Sequence, residues 1–406
     1  MTIELRRLGS DEAGHLVEVN RVAWGEILTS EEVATRAQGM AGFRGWVAEE
    51  EGRPFGVGAI VDLRLTVPGG ARVAMAGVTE VAVLPSHRRR GALRGLMAAM
   101  LDDARERGVP VAGLVPSEAP IYGQFGFGPA ARAATVEVDA ARARVFHGHG
   151  DSRVELVEAT AALSALARLH ERVCAARNGA VSRPGELLRR RYADAERPAD
   201  GYSPIHFAVH RDNAGQVDGL VSYRLKVSWD GLVTTGALTV EELWAVTSEA
   251  EASLWRFCIE HDLVTRVTAR RRPVDEAFPE RLADPRSWRR LPSDLLWLCP
   301  LDPTVLLAAR RYGRDDGLVL EIHDQPGTTP QRCWVEGGLD GATCAATTDE
   351  PDLSLSVSAL AAVCLGDVPV ERLQRAGLVE ERTAGAVARA TAMFSWSPLP
   401  WPGYVF

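Results

Sequence analysis

The sequence predicts a mixed α/β fold of the α+β type, spread over more than one domain. At 406 residues the chain is too long for one ordinary hydrophobic core, so two or three domains are expected. An apolar run from Val78 to Leu84, ended by Pro85, is typical of a buried strand. Directly after it, a spacing of three and four residues puts one set of apolar side chains on a single helix face: Leu93, Leu96, Met97, Met100, Leu101 and Ala104.

The turn between this strand and this helix is basic and contains a glycine. Gly91 would let an anion approach the backbone closely, and the orphan N–H groups of the helix's first turn would point toward it. Arg105 and Arg107 fall in the last turn of the helix, and Gly108 stands where a left-handed cap is expected. The alternative interpretation of so short a turn is an ordinary solvated loop.

Further elements are predicted along the chain. Strands are predicted at 3–8, 46–48, 55–64 and 110–115, with a helix that begins at Ser10-Asp11-Glu12 and a short helix or turn at 118–126. Residues 134–139 alternate in polarity and are expected to close the first domain. The central part is predicted to contain strands at 205–210, 219–227 and 236–246 and a helix at 248–261. The last part is predicted to contain helices at 303–311, 358–365 and 383–393 and strands at 317–323, 331–336 and 352–357.

Composition argues against several classes of partner. The formal net charge of −8 disfavours nucleic acid and anionic membranes and tolerates cationic substrates. No window approaches eighteen apolar residues and the N-terminus lacks the apolar core of a signal peptide, so a cytoplasmic protein is expected. The six cysteines show no paired spacing, which argues against a zinc site or a disulfide framework. His147 and His149 beside Asp151 are better explained as part of a Gly/His linker than as a metal site, so no metal is expected.

Two motifs carry a resemblance to a known family. The run Arg88-Arg89-Arg90-Gly91-Ala92 resembles the Arg/Gln-x-x-Gly-x-Gly/Ala turn of the GCN5-related N-acetyltransferases (GNAT), which holds the pyrophosphate of acetyl-CoA. It lacks the Gly-Lys-Ser/Thr ending of a Walker loop and the three glycines of a dinucleotide fingerprint. The stretch Ser117–Ala130, with Asp62–Gly70 upstream, resembles the Eis type of GNAT enzyme (enhanced intracellular survival). The resemblance is dense over about residues 60–130 and persists more thinly to the C-terminus.

The resemblance implies a domain organisation. An N-terminal catalytic GNAT domain that binds acetyl-CoA (1–148) would precede a degenerate GNAT-like domain (149–297). A sterol-carrier-like domain (298–406) would follow, and its C-terminus would enter the active site. In the central domain Glu242–Glu251 occupies the place of the basic turn, where a pyrophosphate would meet like charge and no glycine. The family's assembly implies a homohexamer.

The resemblance also implies which residues contact acetyl-CoA. Where two parallel strands splay apart, backbone N–H groups become available to the pantetheine and to the thioester carbonyl. Those strands would be Val78–Leu84 and Val111–Val115. The cofactor contacts carried over are Val81, Ala82, Val83, Arg88, Arg89, Arg90, Gly91, Ala92, Leu93, Arg94, Ser117 and Glu118.

Tyr122 is the predicted general acid. A phenol near its reference pKa of about 10 is protonated at neutral pH and can give a proton to a departing thiolate. The alternative is a core tyrosine packed with Phe125 and Phe127. The match of the surrounding residues to the family's acid motif favours the catalytic role.

Phe406 is the predicted general base, through its terminal carboxylate. The ending Trp401–Phe406 is unusually apolar, which predicts a docked terminus and a raised carboxylate pKa, although plain packing of the tail is an alternative. In Eis enzymes the carboxylate of a terminal Phe has this role. The family's best-known members carry an acidic residue before it, where this chain has Val405. That departure leaves Glu26 as the main candidate to contact a substrate ammonium, in a cleft lined by Trp24.

The function predicted is acetyl-CoA-dependent N-acetylation of polycationic small molecules, with aminoglycosides as the type substrate. Direct attack in a ternary complex is expected because no cysteine lies in the cofactor motifs. One alternative is acetylation of protein lysines or of a polyamine. Another is a non-catalytic protein that binds acyl-CoA or an apolar ligand, against which the intact Tyr122, Arg88–Gly91 and Phe406 argue.

Overall fold

The structure is a computed structural model that describes residues 3–145, 154–193, 195–198, 200–324 and 329–406. By its internal contacts the chain divides into two compact units. The first comprises Met1–Ala131, Leu295–Ser397 and Val405–Phe406, and the second comprises Arg132–Asp294 and Pro398–Tyr404. The linker predicted at His147–Asp151 lies outside the described residues, and the three domain boundaries stay predictions.

The N-terminal part of the first unit is a mixed sheet with helices. Its strands are β1 (Glu4–Arg7), β2 (Arg44–Glu50), β3 (Arg53–Thr66), β4 (Arg72–Val83) and β5 (Val111–Leu114), and its helices are α1 (Gly14–Trp24), α2 (Ser30–Gln38), α3 (Ala92–Glu106) and α4 (Ala119–Tyr122). Strands β1 to β4 pair antiparallel in chain order, whereas β4 and β5 are parallel. A parallel pair needs a crossover connection, and α3 supplies it.

The central helix of this unit forms as predicted, whereas the strand before it begins at Arg72 and not at Val78. Helix α3 buries the predicted apolar face, including Leu96, Met97 and Met100, in the core of the unit. Gly91 precedes the helix with φ +91° and Gly108 follows it with φ +68°. Both angles are unfavourable for a residue with a side chain, so glycine is the favoured residue at both ends.

The first helix begins later than predicted. Helix α1 starts at Gly14, and the residue before it, Ala13, provides no side-chain cap. The expected capping segment Ser10–Glu12 forms a turn instead. The Glu12 carboxylate accepts from the Gly9 N–H at 2.7 Å and from the Arg6 guanidinium at 2.8 Å, so it is not available to a helix start.

The second unit repeats the same pattern of strand, helix and parallel strand. The chain enters this unit within β6 (Gly128–Asp139) and leaves it within β14 (Trp288–Pro300). The elements between them are β7 (Val154–Val157), α5 (Ala159–Ala176), α6 (Gly185–Arg191), β8 (His206–Arg211), β9 (Val217–Lys226), β10 (Trp229–Asp230), β11 (Val233–Thr234), β12 (Gly236–Ala245), α7 (Ser248–Ile259) and β13 (Val264–Arg272). Strands β12 and β13 are parallel and α7 connects them. The predicted strand 134–139 forms within β6 and pairs antiparallel with β13 in this unit, and its assignment to the first domain stays a prediction.

In the second unit, the tail segment Pro398–Tyr404 occupies the place where β12 and β13 stop pairing. Parallel pairing of β12 and β13 ends at Val240 and Ala269. Beyond that point Trp401 Nε1 donates to the Arg271 carbonyl at 2.7 Å, and the Trp401 ring lies 4.7 Å from that of Trp244. The tail therefore occupies the space that opens between the two strands, which agrees with a degenerate repeat.

The C-terminal part of the first unit contains a separate sheet. Its elements are α8 (Pro303–Ala309), β15 (Asp316–His323), β16 (Gln331–Gly337), β17 (Ala342–Ala346), β18 (Leu353–Ser356), α9 (Val357–Val363), α10 (Val370–Arg375), β19 (Val379–Glu381) and α11 (Ala386–Phe394). The strands pair in the order β17-β16-β15-β18-β19. One apolar core includes residues of both parts of the unit, such as Tyr122, Phe127, Cys299 and Leu360.

Candidate functional site

The site begins where β4 and β5 separate. Their parallel pairing ends at Gly77 and Gly113, although β4 continues to Val83. Backbone pairing therefore stops before Val78, as the predicted splay of the two strands requires. The stretch that runs on beyond the pairing contains Val81, Ala82 and Val83, the predicted backbone contacts of acetyl-CoA. Backbone N–H groups next to such an opening are available to a ligand.

A cavity of about 220 Å³ lies at this opening. Its walls come from α1 (Asn20 and Trp24), β4 (Val78–Val81), the end of β5 and the residues after it (Leu114, Val115 and Ser117), α4 (Tyr122) and the terminal residue Phe406. The structure thus brings the predicted acid, the predicted base and the diverging strands to one place. None of the described residues that line the cavity is Lys, Arg or His.

Tyr122 lies at the end of α4 and is 6% exposed. Its ring packs edge-on against Phe127, with centroids 6.3 Å apart. Burial raises the pKa of the phenol above its usual value of 10, while a hydrogen bond with the Ser117 side chain lowers it by less. The side chain therefore belongs to an aromatic cluster and also lines the cavity, and its raised pKa keeps the phenol protonated at neutral pH.

The C-terminus is docked, as its apolar sequence predicted. Trp401 and Tyr404 are buried, and within the second unit the Tyr404 hydroxyl donates to the Ser182 carbonyl at 2.6 Å. Within the first unit, Thr79 Oγ1 donates to an oxygen of Phe406 at 3.2 Å. Val405, between these two anchored residues, is 49% exposed.

The basic turn at the start of α3 has the geometry of an anion site. Gly91 adopts φ +91°, and a Cβ built on it would meet no atom within 4 Å. Space in front of this glycine therefore lets a phosphate oxygen approach the backbone and the first turn of the 15-residue helix. The residues present fit the pyrophosphate of acetyl-CoA at this point, with Ala92 and Arg94 in the first turn.

The three arginines of the turn are in different environments. Arg88 Nε donates to the Val83 carbonyl at 3.4 Å, and Arg89 adopts φ +63°. Arg90 forms an ion pair with Glu50, and its hydrogen bond holds the pKa of that carboxyl below the usual value. A phosphate at this turn would therefore compete with Glu50 for Arg90. The family's pattern ends with glycine or alanine at its sixth position. This chain has Leu93 there, so the match to the pattern ends at Ala92.

The remaining predicted contacts divide between the cavity and the surface. Trp24 lines the cavity and is 59% exposed, with its indole N–H donating to Asn20 Oδ1 at 3.1 Å. Ser117 lines the cavity, and Glu118 precedes α4 at the surface. Glu26 is not among the cavity-lining residues and forms an ion pair with Arg36 at 2.5 Å. Contact of Glu26 with a substrate ammonium stays a prediction.

Sequence reasoning missed three polar residues of the cavity. Asn20, Thr79 and Glu80 all line it, and Glu80 is the one side-chain carboxylate among the described lining residues. A signal was present, because Thr79 and Glu80 interrupt an otherwise apolar strand. Two polar residues in a buried strand need partners, which makes them candidates for a site.

No group of three or more His, Cys, Asp or Glu side chains in the described residues is arranged to hold a metal ion. All six cysteines are free thiols, and none of them lines the cavity. None of the helices that the structure describes is both long enough and apolar enough to cross a membrane.

Three known domain families match the chain. An acetyltransferase (GNAT) domain matches residues 4–130, and a second acetyltransferase (GNAT) domain matches residues 179–296. A sterol carrier protein domain matches residues 304–403. The two-repeat organisation and the third domain, which were expected from the resemblance, are both found.

Relatives match over most of the chain. An uncharacterized N-acetyltransferase of Streptomyces coelicolor is 38% identical over 343 residues, which cover 84% of this chain and 83% of the relative. The N-acetyltransferase Eis of Mycobacterium tuberculosis is 32% identical over 353 residues, again 84% and 83% of the two chains. The crystal structure of Eis1 from Mycobacterium abscessus superposes with a TM-score of 0.86, at 31% identity and over 100% of both chains.

Proposed function

Because the chain belongs to the Eis family of GNAT N-acetyltransferases, we propose that it transfers acetyl from acetyl-CoA to primary amines of polycationic small molecules, with aminoglycosides as the type substrate. One observation carries the proposal. Tyr122, the Phe406 terminus and the opening between β4 and β5 meet in one cavity whose described lining includes no basic side chain. Such a cavity suits a cationic acceptor.

Binding of acetyl-CoA would rest on two parts of the first unit. The open Gly91 and the first turn of α3 would receive the pyrophosphate, with Arg88 and Arg90 nearby. The backbone of Val81–Val83 would hold the pantetheine and polarise the thioester carbonyl. Acetyl-CoA, as co-substrate, supplies the activated acetyl group.

The acceptor amine would attack the thioester carbon directly. The Phe406 carboxylate accepts a proton from the amine as the C–N bond forms. Tyr122 donates its hydroxyl proton to the sulfur as the C–S bond breaks. From a protonated amine, the products are an acetamide, free CoA thiol and one proton. No cysteine lines the cavity among the described residues, which supports direct transfer over an acyl-enzyme.

The test compares the native protein with a variant extended by four Gly/Ser residues beyond Phe406. Extension turns the terminal carboxylate into an amide, and loss of a general base lowers kcat by about 100-fold or more. Thiol release from acetyl-CoA would be followed with an aminoglycoside, a polyamine and a lysine peptide. The control carries the same four residues at the N-terminus, and thermal melting checks that all three proteins are folded.

Each outcome of this experiment is informative. Equal turnover with and without the C-terminal extension would overturn Phe406 as the base. Turnover of the lysine peptide or the polyamine in preference to the aminoglycoside would favour the alternative substrate class. No turnover with any amine, although acetyl-CoA binds, would overturn the proposed function in favour of a binding protein.

Assembly and localisation are proposed on the family resemblance. A homohexamer of the 43.9 kDa chain in the cytoplasm is the expected form. Light scattering during size-exclusion chromatography measures the mass directly. A mass of one or two chains would contradict the hexamer.

A further inference from the structure

The tail segment Pro398–Tyr404 is bound within the second unit, close to the end of the chain. Residues 400–404 are buried without interruption, whereas the next residue, Val405, is 49% exposed. The ends of protein chains are usually frayed and exposed, because few contacts offset the entropy lost when they are ordered. A buried run directly before the last two residues therefore indicates that a fixed chain end serves a purpose.

Hydrogen bonds anchor the tail segment along its length. The Leu399 N–H donates to Asp275 Oδ2 at 2.8 Å, and the Trp401 N–H donates to the Asn178 carbonyl at 2.8 Å. The Trp401 indole and the Tyr404 hydroxyl also donate to backbone carbonyl oxygens, at 2.7 and 2.6 Å. The tail segment is therefore held in one register by directional contacts, and not by apolar packing alone.

A bulge in β13 supplies the acceptor for the Trp401 indole. Between Ala269 and Arg272, β13 contains one residue more than the strand β6 opposite it. Arg271 adopts φ +58° within this bulge, and its carbonyl accepts from the indole. The extra residue of a bulge is left out of the strand ladder, so its carbonyl is available to another donor. Irregular backbone at the strand opening is thus part of the site that binds the tail.

Gly403 lets the tail segment pass over the ring of a buried tryptophan. It adopts φ +80°, and a Cβ built on it would lie 2.8 Å from Cζ3 of Trp244 and closer still to Cη2. The Trp244 side chain is 1% exposed, and its ring packs against Trp401 at 4.7 Å and edge-on against His170 at 4.8 Å between centroids. Because these neighbours enclose the ring, a side chain at position 403 would clash with it and displace the tail.

Anchoring Tyr404 limits where the end of the chain can lie. An extended chain spans at most about 3.6 Å per residue, so the backbone of Phe406 stays within about 7 Å of that of Tyr404. The Phe406 carboxylate is the proposed base, and Thr79 donates to an oxygen of Phe406 at 3.2 Å. A loose tail would spread this carboxylate over many positions, whereas an anchored one keeps its effective concentration at the reacting amine high.

We propose that Gly403 is a positioning residue, and that the second unit is a receptor for the tail segment that holds the Phe406 carboxylate ready to accept a proton. The inference rests on the proposed function. It gives the degenerate repeat a task of its own. The opening between β4 and β5 is proposed to receive acetyl-CoA, and the corresponding opening between β12 and β13 binds the protein's own tail.

The experiment compares Gly403→Ala with Gly215→Ala in the full chain. Gly215 is a matched control, since it lies in the second unit with φ +79° and has nothing within 4 Å of its Cβ position. Both substitutions strain the backbone to a similar extent, but only the one at position 403 meets the Trp244 ring. Tyr404→Phe is a milder second variant, because it removes only the hydroxyl that bonds to Ser182. Thermal melting shows whether each variant is folded.

Two measurements are made on each protein. Thiol release with an aminoglycoside gives kcat and KM for acetyl-CoA, and carboxypeptidase Y gives the rate at which Phe406 is removed. Gly403→Ala should lower kcat about tenfold or more, change KM for acetyl-CoA by less than about twofold, and release Phe406 about tenfold faster. Tyr404→Phe should change kcat and the release rate in the same directions but by less. Gly215→Ala should behave as the native protein does.

Chemical rescue separates a misplaced base from a damaged fold. Acetate is a small carboxylate that can accept a proton in place of the Phe406 terminus. It should therefore restore part of the lost turnover in Gly403→Ala and should leave the turnover of the native protein and of Gly215→Ala unchanged. A loss of kcat in Gly403→Ala that acetate does not restore would count against a positioning role.

The contrary outcomes distinguish this inference from the proposed function. Native kcat in folded Gly403→Ala would overturn the inference, and so would a lower kcat with unchanged protection of Phe406 from carboxypeptidase. If the native protein acetylated no amine, the proposed function would fail, and this inference with it. Should Gly403→Ala not fold, Tyr404→Phe decides, and native values of both kcat and Phe406 release in that variant would overturn the inference.

Discussion

Thr79 Oγ1 donates a hydrogen bond of 3.2 Å to an oxygen of Phe406, and the two residues are 327 positions apart in sequence. Thr79 lies in β4, next to the bulge at Glu80, where β4 has already separated from β5. A hydrogen bond donated to a carboxylate favours its charged form. The bond therefore holds Phe406 at the strand opening and favours the ionised form of the carboxylate, which is the form that the proposed base needs.

Thr79→Val should change the pH dependence of the reaction. Valine keeps the shape but cannot donate, so the carboxylate pKa should rise and the acidic limb of kcat/KM should move to higher pH by about 0.5–1 unit. The measurement is kcat/KM from pH 5 to 10. Thr239→Val is the control, because Thr239 is a strand residue of the second unit that bonds to Thr268. An unmoved acidic limb would contradict the role of the Thr79 bond.

Tyr122→Phe should lower kcat by about 100-fold or more while the protein stays folded, because only the hydroxyl is removed. In the native protein burial raises the pKa of Tyr122 above 10, so its acidic form persists up to and beyond that pH. The basic limb of kcat that reports Tyr122 should therefore lie above pH 10. Tyr223→Phe, at a buried tyrosine of the second unit whose pKa is raised to about 12, should retain full activity. Normal turnover in Tyr122→Phe would exclude it as the acid.

Gly91→Ala should weaken acetyl-CoA binding. Its methyl group would enter the open space before α3, where the pyrophosphate is proposed to bind, and KM for acetyl-CoA should rise by about tenfold. Gly108→Ala is a matched control, since Gly108 lies at the other end of α3 with φ +68° and also has nothing within 4 Å of its Cβ position. Both variants carry backbone strain of about 1–2 kcal/mol. A similar rise in KM in the two variants would attribute the effect to strain rather than to the phosphate site.

Glu251→Gln should stabilise the protein in a pH-dependent way. Burial, and then the charge of Glu276, raise the pKa of Glu251 to about 7, although Arg272 lies 3.3 Å away. A carboxyl whose folded pKa exceeds its unfolded value lowers stability as the pH rises from about 4.5 to 7. The substitution should therefore raise the free energy of unfolding by about 1–2 kcal/mol above pH 7, after allowance for the exposed part of the side chain. Below pH 4.5 it should leave the free energy of unfolding unchanged.

Thermal melting at pH 4.5, 6 and 8 measures this effect. The control is Glu249→Gln, an exposed glutamate two residues earlier on the same helix. A stability gain of equal size at all three pH values would contradict the titration of Glu251. An equal gain of stability in Glu249→Gln would show that the effect comes from the change in net charge and not from the titration of Glu251.

Sequence patterns predicted the helices and turns that depend only on residues close to each other in the chain. Helix α3 was predicted from the spacing of its apolar residues, and its C-terminal cap from Gly108, because periodicity and glycine conformations act within a few residues. The family motifs at Arg88–Ala92 and around Tyr122 predicted an acetyltransferase because each motif is one continuous stretch of sequence. The start of α1 was mispredicted because the Glu12 carboxylate accepts from Arg6 and from the Gly9 N–H instead of capping the helix. Arg6 is itself positioned by a bond to Glu49, which lies 43 positions away on β2.

Tertiary contacts decided the composition of the cavity. Asn20 and Glu80 are 60 positions apart, and no residue near either of them in sequence indicates that their side chains form a hydrogen bond. The bulge that aims Glu80 arises from the register between β3 and β4, and the position of Phe406 depends on a bond to Thr79. The sequence alone therefore predicted the fold family, which the comparisons confirm, and named the candidate acid, base and turn residues, which stay predictions. Which polar groups share one cavity depends on pairing register and on contacts between distant segments, and these exist only in the folded chain.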